Sequence, residues 1–406
     1  MATKRKNSPL NGLLANGSMD IPFFLLLIVI VSVGLVMLFS ASYTYSYYNR
    51  DGDSTYIFRR QIIFTVLGLV GMYVVSRIRY EYFKVFAIIG AVVSVGLLLL
   101  VLVLPEYKPG FKRWINLGFT TFQPSEIAKI GLILILAFLL DKDYKGVTGK
   151  IPSKSSIANT IYDFTDGRLV LYKSTTSVIA YGMLIVVFAG LVYLENHLSG
   201  TVLMLAIGFV MLFLGEVKYK WFIAAGGVVL IAVIVLVANP SILQDYMGER
   251  ITAWLDKDFD PTGVRWQTNN SLYAIGSGGF LGTGLGQSKQ KHLYVSEPQN
   301  DFIFSIVCEE LGFVGAATII VLFALLVYRG IYIGLRAKDR FGALLAMGIA
   351  FQIGIQVALN IAVVSDLIPN TGISLPFFSA GGTSIFILLC EMGMLLSISR
   401  SMRKKG

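Results

Sequence analysis

Two stretches of this chain carry charged and polar side chains at spacings suited to holding a polar ligand at the edge of an apolar medium. The first runs Gly110-Phe111-Lys112-Arg113-Trp114-Ile115-Asn116-Leu117-Gly118 and then Gln123-Pro124-Ser125-Glu126-Ile127-Ala128-Lys129. Pro124 suits the first turn of a helix, Ser125 and Glu126 favour a helix N-terminus, and Glu126 and Lys129 lie three apart on one face. The second runs Lys291-His292-Leu293-Tyr294-Val295-Ser296-Glu297-Pro298-Gln299-Asn300-Asp301-Phe302-Ile303-Phe304 and continues to Glu309-Glu310-Leu311-Gly312-Phe313. Asp301 stands where a long polar stretch gives way to an apolar one, with Lys291, His292 and Glu297 nearby in the chain. That is where a lipid-anchored substrate would present its headgroup. Each stretch also has a plainer reading: a capped helix with a local ion pair and an interfacial Trp114, and an aspartate that caps the helix after it.

The elements that must position these residues are set by the solvent. Of 406 residues, 55% are hydrophobic and 14% charged, against roughly 25% charged in soluble domains, so the apolar surface exceeds what a soluble core could hide. The chain is expected to be an all-α polytopic membrane protein with about ten transmembrane helices of roughly 17–25 residues. They are placed at 21–41, 60–76, 84–104, 125–140, 177–194, 201–215, 221–238, 302–328, 341–364 and 381–398. The first is long enough to be a retained span rather than a cleaved signal. Threaded from a cytoplasmic N-terminus, one side collects about 22 Lys and Arg and the other about 11, the bias expected of cytoplasm. Both termini are therefore expected in the cytoplasm: a tail over 1–20, a membrane domain over 21–398, and a basic tail over 399–406.

The net charge of +10 would suit nucleic acid, but the basic residues sit in short runs between apolar blocks, as at Arg400, Arg403, Lys404 and Lys405. That pattern suits an anionic leaflet, and no nucleic-acid partner is expected. Cys308 and Cys390 each lie inside an apolar segment, which excludes a disulfide framework and a thiolate metal site.

Three non-cytoplasmic segments, 105–124, 239–300 and 365–380, are too polar to be plain connectors. The second, joining helices seven and eight, is uncommonly long for a loop without a function. Its glycines, Gly276, Gly278, Gly279, Gly282, Gly284 and Gly286, do not carry a phosphate-binding reading, since no strand precedes them and no βαβ helix follows. They are read as close backbone packing or a mobile lid. The loop 141–176, rich in Ser, Thr and Lys, is expected to be cytoplasmic, mobile and without a catalytic role.

Four motifs in one order make a resemblance. Arg113-Trp114-Ile115 with Gln123-Pro124-Ser125-Glu126 and Lys129, then Ala274-Ile275-Gly276-Ser277-Gly278-Gly279, then Asn300-Asp301-Phe302-Ile303-Phe304 with Glu309-Glu310-Leu311-Gly312, and last Gly372-Ile373-Ser374-Leu375-Pro376-Phe377-Phe378-Ser379 with Gly381-Gly382 resemble the SEDS family (RodA, FtsW and SpoVE). Glu297-Pro298-Gln299 leans toward the FtsW and SpoVE branches. Arg60-Gln61 resembles the family's Arg-Gln pair at the second span. Departures exist: the family's usual Pro-Asp-Leu-Gly-Thr reads His197-Leu198-Ser199-Gly200-Thr201 here, so Glu195 or His197 would have to substitute for the missing acid. Ser296 stands where Pro is common, and Ala380 where Tyr or Ser is usual.

The resemblance implies a peptidoglycan glycosyltransferase of the bacterial cytoplasmic membrane that polymerises lipid II, the undecaprenyl-diphosphate-linked disaccharide-pentapeptide, alongside a class B penicillin-binding protein. It implies that Asp301 is the catalytic residue, acting as general base on the acceptor hydroxyl. Lys129 and Arg113 would stabilise the departing diphosphate, with Arg265 and Lys291 as second contributors. Trp114, Gln123, Ser125, Glu126, Glu297 and Arg60 complete the expected substrate-binding set. A divalent cation, Mg or Mn, at the diphosphate is the one cofactor considered. The competing readings are a lipid flippase, which would need polar residues deep in several spans where here the charges cluster near one surface, and a scaffold for a transpeptidase.

Overall fold

The computed structural model describes residues 13–15, 17–105, 112–118, 120–144, 173–239 and 245–402. Most of the two tails, most of the predicted cytoplasmic loop 141–176, and Gly110 and Phe111 lie outside the described residues.

All ten predicted spans are helices. They are α1 (Ile21–Asn49), α2 (Tyr56–Arg77), α3 (Phe83–Val103), α4 (Pro124–Lys142), α5 (Lys173–Leu194), α6 (Leu198–Leu214) and α7 (Tyr219–Ala238). After two shorter helices in the long connection, α8 (Asp245–Leu255) and α9 (Trp266–Gly278), come α10 (Ile303–Leu335), α11 (Arg340–Val364) and α12 (Gly382–Arg400). Seven of the described helices are long and apolar enough to cross a membrane, and α6 is a shorter apolar helix. Helix α4 is less apolar because its first and last turns carry Glu126 and Lys142, with Lys129 close behind the first turn. The chain is a polytopic helical membrane protein.

Local chemistry sets the ends. Asp20 caps α1 by accepting from the Phe23 N–H at 2.9 Å, and Asp339 caps α11 by accepting from Gly342 N–H at 2.9 Å. Gln123 is extended (φ −106°, ψ 108°) because Pro124 follows, and Pro124 opens α4. At the end away from the long loops, Arg329 donates twice to Asp20 at 2.9 Å, and Lys84 bridges Asp141 and Asp339 at 3.1 and 3.0 Å. Helix α12 runs along α2, α10 packs on α11 and α1, and α4 packs on α3.

The predicted glycine packing is the device that seats the long connection. Helix α10 breaks at Gly312 (φ 66°, ψ −168°), and the segment after α9 enters the break. Thr283 and Gly284 N–H donate to the Glu309 and Glu310 carbonyls at 2.9 and 3.0 Å, and Phe313 and Val314 N–H donate to the Gly279 and Phe280 carbonyls at 3.0 and 3.2 Å. The break therefore leaves few orphaned backbone groups. A Cβ on Gly312 would stand 2.2 Å from Gly282 N, and one on Gly282 would stand 2.2 Å from Glu310 O. Gly312→Ala combines that clash with a backbone conformation reserved for glycine, a cost of about 1–3 kcal/mol before the clash is counted. The melting temperature in detergent is expected to fall by several degrees, whereas Gly96→Ala, with nothing within 4 Å of the new Cβ, should leave it unchanged.

Glu309 and Glu310 then pin the chain beyond. Glu309 accepts from the Ser288 hydroxyl and from Lys289 N–H at 2.8 Å. Glu310 accepts from Ser40 at 2.7 Å and pairs with Lys291 at 2.9 Å. Both acids are buried.

Candidate functional site

At the end of the bundle that carries the long connections, a cavity of about 310 Å³ is lined by Arg113, Trp114, Gln123, Ser125, Glu126, Lys129, Glu297 and Asp301, together with residues of α6, α11, α12 and the segment 372–384. Eight of the eleven residues expected to form the site are thus brought to one wall system from two separate parts of the sequence, 113–129 and 297–301.

One side of the cavity is the first turns of α4. The Lys129 ammonium lies 3.0 Å from Glu126 Oε2 and donates to Gln356 Oε1 at 3.1 Å. Ser384 at the start of α12 donates to the same Glu126 oxygen at 2.9 Å, and Gln356 donates to the Ser374 carbonyl at 3.0 Å. Lys129 and Glu126 are both buried. These contacts fix Lys129 against α11 and α12 and, among the described residues, occupy two of its three N–H donors.

Asp301 is held from behind. Asn360 of α11 donates to the Asp301 carbonyl at 2.8 Å and to the Ile373 carbonyl at 2.7 Å. Ser379 donates to the Asn300 carbonyl at 2.8 Å, and Ala380 N–H donates to the Gln299 carbonyl at 2.8 Å. Gly372, with φ +73°, lies so close that a Cβ there would come within 3.1 Å of Asp301 Oδ2. The N-cap of α10 is Phe302, one residue on, with no side-chain cap, so the helix-cap reading of Asp301 does not describe this geometry.

The third wall is the turn between α5 and α6. Asn196 has a left-handed backbone (φ 57°), which Asn tolerates, and its carbonyl accepts from the buried Arg113 guanidinium. Beside it Glu195 is fully buried, and neither carboxyl oxygen has a hydrogen-bond partner among the described residues. Burial pushes its carboxyl up to about 9 against the opposing pull of Arg113. At neutral pH it holds its proton. His197 lines the cavity and is held well below the ordinary histidine range by burial and by the Arg113 and Lys129 cations.

Three expected residues lie elsewhere. Arg60 reaches Tyr56 and Thr120 at 3.3 and 3.2 Å, beside the hairpin of β1 (Ile115–Asn116) and β2 (Thr121–Phe122) rather than in the cavity lining. Arg265 is buried, donates to the Ala253 carbonyl and pairs with Asp366 at 2.7 Å, tying the long connection to the segment after α11. Lys291 is spent on Glu310, Ser40 and the Gly286 carbonyl. Arg265 and Lys291 are each buried in an ion pair outside the cavity lining, and that placement is what removes them from ligand contact.

The sequence reading missed Gln356, Asn360 and Ser384. A signal was available: Gln352, Gln356 and Asn360 recur every four residues along an apolar helix, so they share one face. It also placed the polar groups near the surface only. In fact Gln352 donates at 3.0 Å to the buried Glu391 in the middle of α12, so polar pairing continues below the site. The cavity itself does not follow it, because Leu203, Met204, Ile385 and Leu388 line its depth.

Among the described residues no three His, Cys, Asp or Glu side chains converge as a metal cage. The cavity carboxylates Asp301 and Glu297 fit the other mode of Mg²⁺ binding, in which one or two carboxylates add to phosphate oxygens and water.

Comparison with known proteins completes the description. The family described as "Cell cycle protein", covering FtsW, RodA and SpoVE, matches residues 20–404. Stage V sporulation protein E of Bacillus subtilis strain 168 is 36% identical over 99% of this chain and 100% of its own length. The probable peptidoglycan glycosyltransferase FtsW of Trichlorobacter lovleyi is 35% identical over 95% and 94%. Among solved structures, a chain of a peptidoglycan synthase complex described as coordinating polymerization and crosslinking superposes with a TM-score of 0.71 at 27% identity, covering 94% of this chain and 98% of that one. The Thermus thermophilus rod shape determining protein RodA superposes with a TM-score of 0.64 at 25% identity over 95% and 98%.

Proposed function

The chain belongs to the FtsW, RodA and SpoVE family of cell cycle proteins, and from that premise we propose that it is a peptidoglycan glycosyltransferase that polymerises lipid II in the cavity between Asp301 and Lys129. The observation that carries this reading is the juxtaposition itself: one acid, held by its backbone at the cavity wall, faces a wall bearing Arg113 and Lys129. In an inverting displacement, the acceptor's 4-hydroxyl oxygen forms the new bond to the donor's anomeric carbon as the bond to the diphosphate oxygen breaks. Asp301 takes the hydroxyl proton. Lys129 and Arg113 meet the charge that builds on the diphosphate, in a site walled from water on its deep side by apolar residues. A divalent cation, when bound, would add charge neutralisation at the diphosphate, with Glu297 as its protein contact.

The test is formation of glycan chains from fluorescent lipid II by the purified protein, with and without a class B penicillin-binding protein, the proposed partner, and with an EDTA arm for the cation. Absence of polymer in every arm would overturn the reading.

The cavity end is proposed to face outward at the bacterial cytoplasmic membrane, with both termini inside, on the strength of the Lys and Arg asymmetry. Single cysteines at Asp258 and Lys154, placed in a background lacking Cys308 and Cys390, are expected to react from outside the cell and only after permeabilisation, respectively. The reverse pattern would invert the orientation and exclude an external lipid II site.

A further inference from the structure

One titratable cavity residue is not used by the proposed displacement. His197 sits at the N-cap of α6, and its ring folds back over Gly200, where a Cβ would stand 2.6 Å from His197 Nδ1. Its Nδ1 lies 3.5 Å from Gln123 Nε2. The amide is a donor there, so Nδ1 accepts and the ring proton of the neutral imidazole resides on Nε2. Gly200 and Gln123 themselves line the cavity, so the ring is part of a built wall.

The charges that act on the ring are the cations Arg113 and Lys129. Arg113 bonds to the carbonyl of the preceding residue, Asn196, and Lys129 stands on α4, while Glu126 is already matched to Lys129 and Ser384. Glu195 on the same turn holds its proton at neutral pH. The remaining acids of the cavity, Glu297 and Asp301, come from the long connection, and α11, the segment after it and α12 present neutral groups, Gln356, Ser374 and Ser384. With two cations close by, and with the positive end of α6 beneath it, a third positive charge at residue 197 is disfavoured while the cavity is empty. Burial together with Arg113 and Lys129 drives the imidazole well below its ordinary range. A diphosphate placed between Arg113 and Lys129 reverses that balance, because its negative charge outweighs the repulsion that kept the ring neutral.

We propose that His197 is a substrate-responsive contact of this cavity, neutral when the cavity is empty and taking up one proton when a diphosphate seats between Arg113 and Lys129, so that it becomes a third cationic donor to the ligand. This rests on the diphosphate-lipid reading above and deepens it. The proton comes from solvent and returns to solvent when the diphosphate lipid departs, so no bond to carbon or phosphorus is made by the ring. The sign follows from linkage: a ligand that binds better to the protonated ring binds more tightly as pH falls between the free and bound values of the imidazole.

The chain contains two histidines, His197 and His292, which makes a direct measurement possible on the intact protein. Full-length protein labelled with ¹⁵N-histidine in detergent or nanodiscs is titrated at pH 7 with undecaprenyl diphosphate, and the ring-nitrogen shifts report protonation. One imidazole is expected to pass from neutral to cationic on binding. That signal persists in His292→Gln and is lost in His197→Gln, whose affinity falls by about ten- to a hundredfold as a charge-assisted hydrogen bond is removed. Binding of the lipid with both imidazoles still neutral overturns the proposal and leaves the diphosphate reading standing. Failure of the wild type to bind undecaprenyl diphosphate at all overturns both.

Discussion

Asp301→Asn is expected to lower glycan polymerisation by about 10²- to 10⁴-fold, the range that a positioned general base supplies, with the fold and partner binding unchanged. The substitution isolates the proton-accepting group. A hydrogen bond from Asn360 to the Asp301 backbone carbonyl helps hold this residue, and the exchange leaves it in place. The cap position of α10 belongs to Phe302, so no helix cap is lost, and Asn would cap about as well as Asp in any case. The carboxamide has the shape of the carboxylate and fits against Gly372, where there is no Cβ to obstruct it. Polymer is measured at matched amounts of folded protein, judged by melting in detergent and by pull-down of the partner transpeptidase. An Asn variant that still makes long glycan would transfer the role to Glu297, the other acid of the connection that lines the cavity.

Removal of the Lys129 charge is the second large effect, and the geometry dictates how it is to be removed. Lys129→Ala strands Glu126, whose side chain is 8% exposed and whose partner lies 3.0 Å away. Breaking such a buried pair costs about 3–5 kcal/mol, so loss of polymer in that variant would not separate binding from folding. The paired variant Lys129→Met with Glu126→Gln removes both charges, keeps the volume, and leaves Ser384 an oxygen to donate to. It is expected to melt near the wild type yet lose polymerisation by at least about a hundredfold, as for deletion of a donor to developing negative charge. Undecaprenyl diphosphate binding should weaken in parallel. Normal turnover by this variant would move the diphosphate to Arg113. Glu126→Gln alone keeps the ammonium and its Gln356 contact but removes its buried counter-charge, so it is expected to melt below the paired variant.

The helices were legible because their cause is local. Twenty apolar residues in succession can meet lipid only as a helix, so the ten long helices follow from composition, and their ends are marked locally, by bonds to Asp20 and Asp339 and by the fixed backbone of Pro124. The site was legible where one motif contains its own geometry, as in Glu126 and Lys129 three apart on α4. It was not legible where distant segments compete for the same cation. Lys291 and Arg265 look like Lys129 in sequence, each a base in a polar stretch, but Glu310 and Asp366 claim them across 19 and 101 residues.

The amino-acid sequence by itself determined that this protein lives in lipid, where its long apolar helices lie, and that Asp301 stands at the boundary of a polar loop and an apolar helix, since each of these depends on neighbours along the chain. Only the tertiary structure decided which charges line the cavity. A buried ion pair forms wherever the fold brings opposite charges to about 3 Å, and desolvation makes that choice nearly irrevocable. The fold gave Lys291 to Glu310 and Arg265 to Asp366, left Glu195 without a hydrogen-bond partner among the described residues, and set Lys129, Arg113 and His197 around one cavity with Asp301.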